Sequence, residues 1–314
     1  MNRSAPLLLI IATLAASTPG QQRQYPPWLK LFVNKRIVYQ VPGMRSVKVK
    51  KNLVYKRADN SDLLMDVYSP KTPQKRLPAV LFVHGGRIPP NLLTTPKDWA
   101  VYVSFGELVA ASGFAGVTFN HRFHTWESLS DAQLDVMDAI KYVRDHAATL
   151  GVDSERIVLW TISAGGIFLS RPLQERPAYL KSIVAYYSQM DLQGERASAP
   201  SSVSDETLRD LSPLYQLERS AEREQQTGEG AAAKAASLFP PIFIARAGLD
   251  SADLNAGLDQ FVQVALKHNL SIEVVNHAAG HHGFDIEDDN DRSREIIKRT
   301  IEFLKTYVGR TTSQ

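Results

Sequence analysis

Short runs of consecutive apolar residues recur along this chain, and stretches with helical periodicity separate them. Residues 79–83, 115–119 and 157–160 have the length and composition of strands that are buried on both faces. Residues 134–150 instead repeat apolar side chains at the spacing of one helix face, and Gly151 follows where a helix would end. This alternation predicts an α/β fold with a mostly parallel central sheet and helices on both of its faces.

An opening hairpin makes the predicted sheet mixed. Residues 53–55 and 63–68 are typical of two strands joined by a turn, and 183–186, 242–245 and 272–275 are typical of later ones. The 314 residues, 44% of them hydrophobic, can bury a sizeable core, which we assign to one domain over residues 51–310. A long polar segment, residues 193–237, interrupts it and is interpreted as a cap over the strand ends or as a flexible insertion.

The first residues are typical of a targeting segment. A positive start at Arg3, a short apolar stretch over residues 7–16 and a small-residue exit predict a signal peptide over residues 1–20; a short membrane anchor is the alternative. We therefore expect an exported protein, periplasmic or extracellular, with no stable membrane span after cleavage.

Residues 21–50 are rich in Lys and Arg and are interpreted as a basic, solvated N-terminal arm that leads into an edge strand. Contact with an anionic envelope polymer is the alternative.

Composition excludes several kinds of site. The chain has no cysteine, so disulfides, a thiolate nucleophile and thiolate metal ligands are excluded. The net charge of +3, without a basic run interleaved with aromatic residues, disfavours nucleic-acid binding. His121 and His124 are spaced like a pair of metal ligands but lack a third, so no metal or cofactor is predicted. Nothing in the sequence indicates the oligomeric state.

One serine stands where an apolar strand ends. Residues 157–162 run directly into Ser163, and Ala164, Gly165 and Gly166 follow. This order is typical of a strand–turn–helix elbow that exposes a single hydroxyl at the carboxyl end of a strand. Ser163 is therefore the candidate nucleophile, and its partners are expected at the ends of neighbouring strands.

A glycine pair follows the predicted strand at residues 79–83. In the sequence His84-Gly85-Gly86 no side chain blocks the backbone, so its N–H groups can turn toward a ligand. Acyl transfer by a serine creates an oxyanion that needs two such donors. Gly85, Gly86 and Ala164, the residue after the serine, are the candidate oxyanion residues.

Acids and histidines follow the last two predicted strands. Asp250 lies in the loop after the strand at 242–245 and is favoured as the acid over Asp253 and Asp259. His282 is favoured as the general base because the following Gly283 suits a loop that turns back over the strand ends. His281 is its alternative, and His277 lies too near its strand to be preferred. The acids after them are interpreted as solvated residues ahead of a helix rather than a cation site: Asp285, Glu287, Asp288 and Asp289.

With Ser163, Asp250 and His282 in this order and His-Gly-Gly upstream, the chain resembles the α/β-hydrolase superfamily over residues 50–310. Within it, the chain is similar to the esterase/lipase branch with a His-Gly-Gly motif. The resemblance implies a serine hydrolase that cleaves carboxylic esters through an acyl-enzyme, with those three residues as nucleophile, acid and base. It implies a small-molecule or carbohydrate-linked ester substrate. A peptidase, an acyltransferase and a catalytically silent binding protein are the alternatives.

Two positions depart from the family pattern. Thr161 stands where the elbow Gly-x-Ser-x-Gly has its first glycine, and its bulk is expected to displace the turn. Arg87 replaces the third glycine of the longer His-Gly-Gly-Gly form. We expect Arg87 to place a cation near the site, which would favour an acidic acyl or sugar group.

Overall fold

A computed structural model describes residue 25 and residues 27–58, 61–72, 76–90, 92–225 and 238–309. The predicted signal peptide and the last part of the polar segment, residues 226–237, lie outside this part of the chain. The strands are β1 Lys48–Ala58, β2 Ser61–Ser69, β3 Leu77–Val83, β4 Ala115–Phe119, β5 Val152–Ile162, β6 Leu180–Tyr186, β7 Ile242–Ala247 and β8 Ile272–His277. The helices are α1 Pro27–Asn34, α2 Ala100–Ala111, α3 Leu129–Asp145, α4 Ala147–Leu150, α5 Ser170–Glu175, α6 Asp205–Asp210, α7 Pro213–Gln225, α8 Ala252–Lys267, α9 Phe284–Glu287 and α10 Asp291–Tyr307.

The strands form one eight-stranded sheet in the order β1-β2-β4-β3-β5-β6-β7-β8. Strand β2 is antiparallel to both β1 and β4, and the remaining pairs are parallel. The mixed, mostly parallel sheet predicted from the apolar runs is therefore confirmed. Because β3, β5, β6, β7 and β8 run in one direction, their carboxyl ends share one edge of the sheet.

Helices cover both faces, as predicted. Val136 of α3, Leu217 of α7 and Leu258 of α8 contribute to a buried cluster on one face. Phe105 of α2 and Ile301 of α10 contribute to a second cluster on the other face. Over the apolar runs of β3 to β7 both faces are thus removed from water, which explains why these runs are continuous rather than alternating, whereas the edge strand β8 stays partly exposed.

Helix α2 has no counterpart among the predicted elements. It is buried around most of its circumference, so apolar and small residues occupy all of its faces and no one-sided stripe is present. Gly106 lets it lie close to β2, since a Cβ there would stand 2.6 Å from the ring of Tyr68. Tyr102, in the first turn of α2, lines the cavity that opens at Ser163.

The N-terminal segment corrects one interpretation. Leu29 of α1, Ile37 and Met44 are buried in the cluster that also contains α2, so residues 27–47 are not a solvated arm. Lys35 and Arg45 are exposed and Arg36 pairs with Glu107 of α2, while the apolar residues hold the backbone against the domain. Strand β1 does lie at the edge of the sheet, as expected.

Among the described helices, none combines the length and the apolar character that crossing a membrane requires.

The described part of the polar segment, residues 193–225, also packs into the domain. Leu208 of α6 and Leu217 and Ala221 of α7 are buried, and α7 lies against α5 and α8. In this part the segment is therefore not a flexible insertion. Its few apolar residues suffice because they are concentrated on the faces of two short helices.

A buried ion pair fixes the turn that precedes α2. Lys97 and Asp66 of β2 are both almost fully buried, and Lys97 Nζ lies 3.2 Å from Asp66 Oδ1. The same carboxylate oxygen accepts the backbone N–H of Asn52 at 2.7 Å. Lys97 thus neutralises a carboxylate that joins the β1–β2 hairpin to the turn carrying Trp99.

Replacing Lys97 by Met should leave Asp66 as an unpaired buried charge and lower the free energy of unfolding by about 3–5 kcal/mol. Urea denaturation of both proteins measures the difference. The matched control is Lys141→Met, which breaks the exposed pair with Asp145 and should cost less than about 1 kcal/mol. Equal losses of unfolding free energy in the two variants would show that Lys97 does not neutralise Asp66 in the buried pair.

Candidate active site

Ser163 lies on a strained turn at the carboxyl end of β5. Its φ is 56°, in the left-handed region that non-glycine residues rarely adopt. The glycines behind it are required by packing: a Cβ on Gly165 would stand 2.3 Å from Val83 O, and one on Gly166 2.6 Å from Gln189 O. The elbow predicted from the sequence therefore rests directly on the ends of β3 and β6.

Thr161, the residue in place of the usual glycine, is accommodated by strand β6. Its side chain is fully buried, and Oγ1 lies 2.9 Å from Ser188 Oγ and 3.3 Å from Val184 O. The hydroxyl that could have been a buried unpaired group is thus satisfied. Ser163 still reaches its partner, so Thr161 does not displace the turn enough to separate them.

The structure brings the three predicted side chains together. His282 Nε2 lies 2.9 Å from Ser163 Oγ, and His282 Nδ1 lies 2.6 Å from Asp250 Oδ2. Asp250 is 6% exposed, and its other oxygen accepts the N–H of Ser251 at 2.7 Å. A histidine held between a hydroxyl and a carboxylate can remove the proton of the hydroxyl while the carboxylate stabilises the resulting cation.

The alternative histidines lie elsewhere. His281 is exposed and pairs with Asp288 at 2.9 Å, which raises the pKa of this imidazole. His277 is buried at the end of β8, and its Nε2 is hydrogen-bonded to Ser293 Oγ at 3.1 Å. Both imidazoles are therefore bonded to side chains other than that of Ser163, and His282 is the histidine that reaches it.

The alternative acids are likewise used locally. Asp253 lies in the first turn of α8, and Asp259 pairs with Arg246 at 2.8 Å. Neither contacts the histidine that approaches Ser163. The preference for Asp250 agrees with this geometry.

The glycine turn after β3 lies against the elbow. A Cβ on Gly85 would stand 2.6 Å from Ile162 O and 2.9 Å from Ala164 N, so the two backbones approach closely. Gly86 has a φ of 71°, a conformation that suits glycine. The backbones of this turn and of Ala164 therefore lie together in one small region beside Ser163, where an oxyanion site requires its donors.

Two buried histidines support this turn, and sequence reasoning missed both roles. The rings of His84 and His121 stack at 3.5 Å, and His121 Nε2 is hydrogen-bonded to His84 O at 3.0 Å. Burial lowers the pKa of both, that of His121 to about 3, so both are neutral near pH 7. His124 is instead bonded to the carbonyl of Ile88. Within the described ranges, His, Asp and Glu side chains form no cluster suited to a metal ion.

A cavity of about 430 Å³ opens at Ser163. Apolar side chains from α1 form one wall and the start of α2 forms another. Its lining comprises Leu29, Leu31, Phe32, Gly85, Gly86, Ile88, Trp99, Tyr102, Ile162, Ser163, His282 and Glu287. The wall therefore comes from the N-terminal helix, whereas residues 193–225 do not contribute to this lining.

The charge beside the cavity differs from the expectation. The guanidinium of Arg87 lies over the ring of Trp126, 5.1 Å from its centroid, and Arg87 is not part of the lining. The charged side chain at the cavity is Glu287, a carboxylate. Arg87 therefore does not place its cation at the cavity, contrary to the expectation.

One of the acids interpreted as solvated is fully buried. Asp285, in α9, accepts the hydroxyl of Tyr187 at 2.5 Å. Burial raises the pKa of Asp285 to about 6. The sequence gives no sign of this because the apolar surroundings come from distant segments.

Comparison with known proteins identifies the fold. The native structure of Est2, a thermophilic esterase from Thermogutta terrifontis, matches with a TM-score of 0.64 at 21% identity, over 87% of this chain and 97% of that one. The chain has the α/β-hydrolase fold. The structure of Thermogutta terrifontis esterase 2 phosphorylated by paraoxon matches with a TM-score of 0.62 at 22% identity, over 85% and 97% of the two chains.

Sequence comparisons agree with this α/β-hydrolase assignment. The family model BD-FAE matches residues 65–171, which hold the glycine turn and Ser163. The para-nitrobenzyl esterase of Bacillus subtilis (strain 168) is 26% identical over 160 residues, 46% of this chain and 32% of that protein. The chain thus spans about a third of the length of this curated relative. The chain is therefore similar to esterases with the α/β-hydrolase fold, as the sequence motifs predict.

The contact between elbow and β3 predicts the effect of Gly165→Ala. The added Cβ meets backbone rather than a flexible side chain, so the turn must shift, at a cost of about 1–3 kcal/mol. We expect a lower melting temperature, together with weaker reaction of Ser163 with a fluorophosphonate probe. Gly194→Ala is the control, since its Cβ would stand 3.3 Å from a single side-chain oxygen of Asp191. Unchanged labelling of Gly165→Ala would show that the close approach is not needed.

Proposed function

We propose that this α/β-hydrolase is an exported serine esterase that cleaves carboxylic esters through an acyl-enzyme intermediate on Ser163. The observation that carries the proposal is the position of His282, which lies 2.9 Å from Ser163 Oγ and 2.6 Å from Asp250 Oδ2. The esterases among the similar proteins support esters as the substrate class. Export rests on the pattern of residues 1–20 alone and stays a prediction.

In the first half of the proposed reaction, Ser163 Oγ attacks the ester carbonyl carbon while His282 Nε2 accepts the hydroxyl proton. Asp250 accepts a hydrogen bond from His282 Nδ1 and stabilises the imidazolium that forms. The oxyanion is bound by the N–H of Ala164 and that of Gly85 or Gly86. The imidazolium then protonates the leaving oxygen, the ester C–O bond breaks and the alcohol departs.

In the second half, water attacks the acyl-enzyme carbonyl as His282 removes its proton. The same backbone donors hold the second oxyanion. The bond between the carbonyl carbon and Ser163 Oγ then breaks, the proton returns to the serine and the carboxylic acid leaves. Each proton passes through His282, so the two hydrogen bonds of this residue serve both halves.

The cavity supports a limited substrate class. A volume of about 430 Å³ suits a small molecule, and the lining by α1 and α2 is mostly apolar. Glu287 at the cavity disfavours anionic groups. We therefore expect uncharged esters with short to medium acyl chains to be the better substrates.

Ser163→Ala should abolish most of the triad's roughly million-fold contribution to turnover, and Asp250→Asn should cost somewhat less. Hydrolysis of aryl acetate and butyrate esters measures the rates, and a fluorophosphonate probe followed by mass spectrometry locates the labelled residue. Ser202→Ala, at an exposed serine, is the control. Full esterase activity of Ser163→Ala would refute the proposed nucleophile.

Phe32→Ala should change the acyl selectivity because it removes a ring from the wall formed by α1 and so widens the cavity. We expect the ratio of kcat/KM for octanoyl over acetyl aryl esters to rise several-fold. A ratio is insensitive to the fraction of folded enzyme, so a loss of stability does not obscure the result. Leu266→Ala, an exposed leucine of α8, is the control. If Phe32→Ala leaves this ratio unchanged, α1 does not shape the acyl site.

A further inference from the structure

A buried tyrosine packs against His282, and a second acid, besides Asp250, is bonded to its hydroxyl. The ring of Tyr187 lies 4.6 Å from the ring of His282, tilted by 58°. The hydroxyl of Tyr187 donates to Asp285 Oδ1 at 2.5 Å, and both residues are fully buried. His282 thus has one carboxylate at Nδ1 and the ring of Tyr187 against its own ring, and Asp285 lies at the hydroxyl of that tyrosine.

The backbone around Tyr187 is held in an uncommon conformation. Its φ is 34°, and its N–H donates to Ala245 O at 2.8 Å. Two residues later, the N–H of Gln189 donates to Ser163 O at 2.9 Å. One short turn therefore contacts the backbone of the nucleophile and the ring of the base. Strain that the surroundings maintain in this way is typical of functional sites.

Asp285 is equally constrained. It lies three residues after His282 in the sequence, and its backbone carbonyl accepts the N–H of Val38 at 2.8 Å, which ties α9 to the N-terminal segment. Burial raises the pKa of the carboxyl to about 6, while the bond from Tyr187 opposes the shift. Near pH 7 most of the population therefore carries the charge. The titratable groups that act on it are His282 and Asp288 near it in the chain, Tyr186 at the end of β6, Tyr187 directly after it, and Tyr102 of α2.

We propose that Asp285 and Tyr187 are positioning residues for His282. Tyr187 fixes the tilt of the imidazole, and the Asp285 carboxylate stabilises the imidazolium that forms when His282 accepts the proton of Ser163. Neither residue touches the reacting atoms. The inference rests on the proposed function, since it concerns the base of that reaction.

The charge of Asp285 can be removed with little change of shape. Asp285→Asn keeps an oxygen that accepts the hydroxyl of Tyr187, but it is neutral at every pH. Above pH 6 the wild type carries the carboxylate, and we expect its kcat to exceed that of the variant by about tenfold, the size of one charge contact in a partly buried site. As the pH falls below 6, the wild type also becomes neutral, and the ratio of the two kcat values should approach one. KM should stay within about twofold.

Tyr187→Phe tests the same pair without altering the carboxyl itself. Loss of the hydroxyl removes the bond that favours the charged form, so Asp285 should ionise at higher pH. We expect a deficit in kcat near pH 7 that recovers as the pH rises. This opposite pH trend separates the variant from Asp285→Asn and keeps the test valid if the Asn variant folds poorly.

Tyr186→Phe is the matched control. Tyr186 is the adjacent buried tyrosine, and its hydroxyl is bonded to Thr300 Oγ1 at 2.7 Å, away from His282. It should lower the melting temperature without any pH-dependent change in kcat relative to wild type.

The measurement is kcat and KM for an aryl butyrate ester from pH 5 to 9 for wild type and the three variants. Ratios that do not vary with pH, or losses confined to KM, would overturn the positioning role while leaving the esterase proposal intact. A wild type that neither hydrolyses esters nor reacts with a fluorophosphonate would overturn both. The pH-dependent ratio for Asp285→Asn, absent in Tyr186→Phe, is the supporting result.

Discussion

The turn after β3 and the elbow after β5 touch through their backbones, with no side chain between them. Gly85 and Gly165 make this possible, since a Cβ at either position would stand 2.3–2.6 Å from a carbonyl oxygen. The parallel pairing of β3 with β5, in which Val83 lies opposite Thr161, brings the two turns to the same level. The proposed nucleophile and the proposed oxyanion donors therefore share one rigid support, and the remaining loops need only reach it.

The turn after β6 completes this support on the side of β5 that faces away from β3. Ser188 bonds to Thr161, and Gln189 bonds to the backbone of Ser163. This arrangement explains how the chain tolerates a threonine where the Gly-x-Ser-x-Gly elbow has glycine, because the hydroxyl finds partners on β6 and in the turn after it. A substitution that looks unfavourable in the elbow alone is thus compatible with the structure around it.

The sequence predicts the sheet and the proximity of the three side chains, that of Ser163 included, because both follow from local patterns. Buried parallel strands are continuous apolar runs, and strand ends in such a sheet lie at one edge, so Ser163, Asp250 and His282 could be placed together. The burial of α1 was missed because Leu29 lies among many basic residues. The burial of Asp285 depends on Tyr187, almost a hundred residues away, and no local pattern reveals such a contact.

Ser163 and Tyr187, at the ends of adjacent strands, both adopt left-handed backbone conformations without being glycine. Each such residue typically destabilises a fold by about 1–3 kcal/mol. A glycine at position 163 would adopt the same φ without that steric penalty, so a chain that lacks the proposed nucleophile can be more stable than this one. Directed evolution for heat resistance alone would then select against Ser163, and libraries screened for thermostability must retain a selection for turnover.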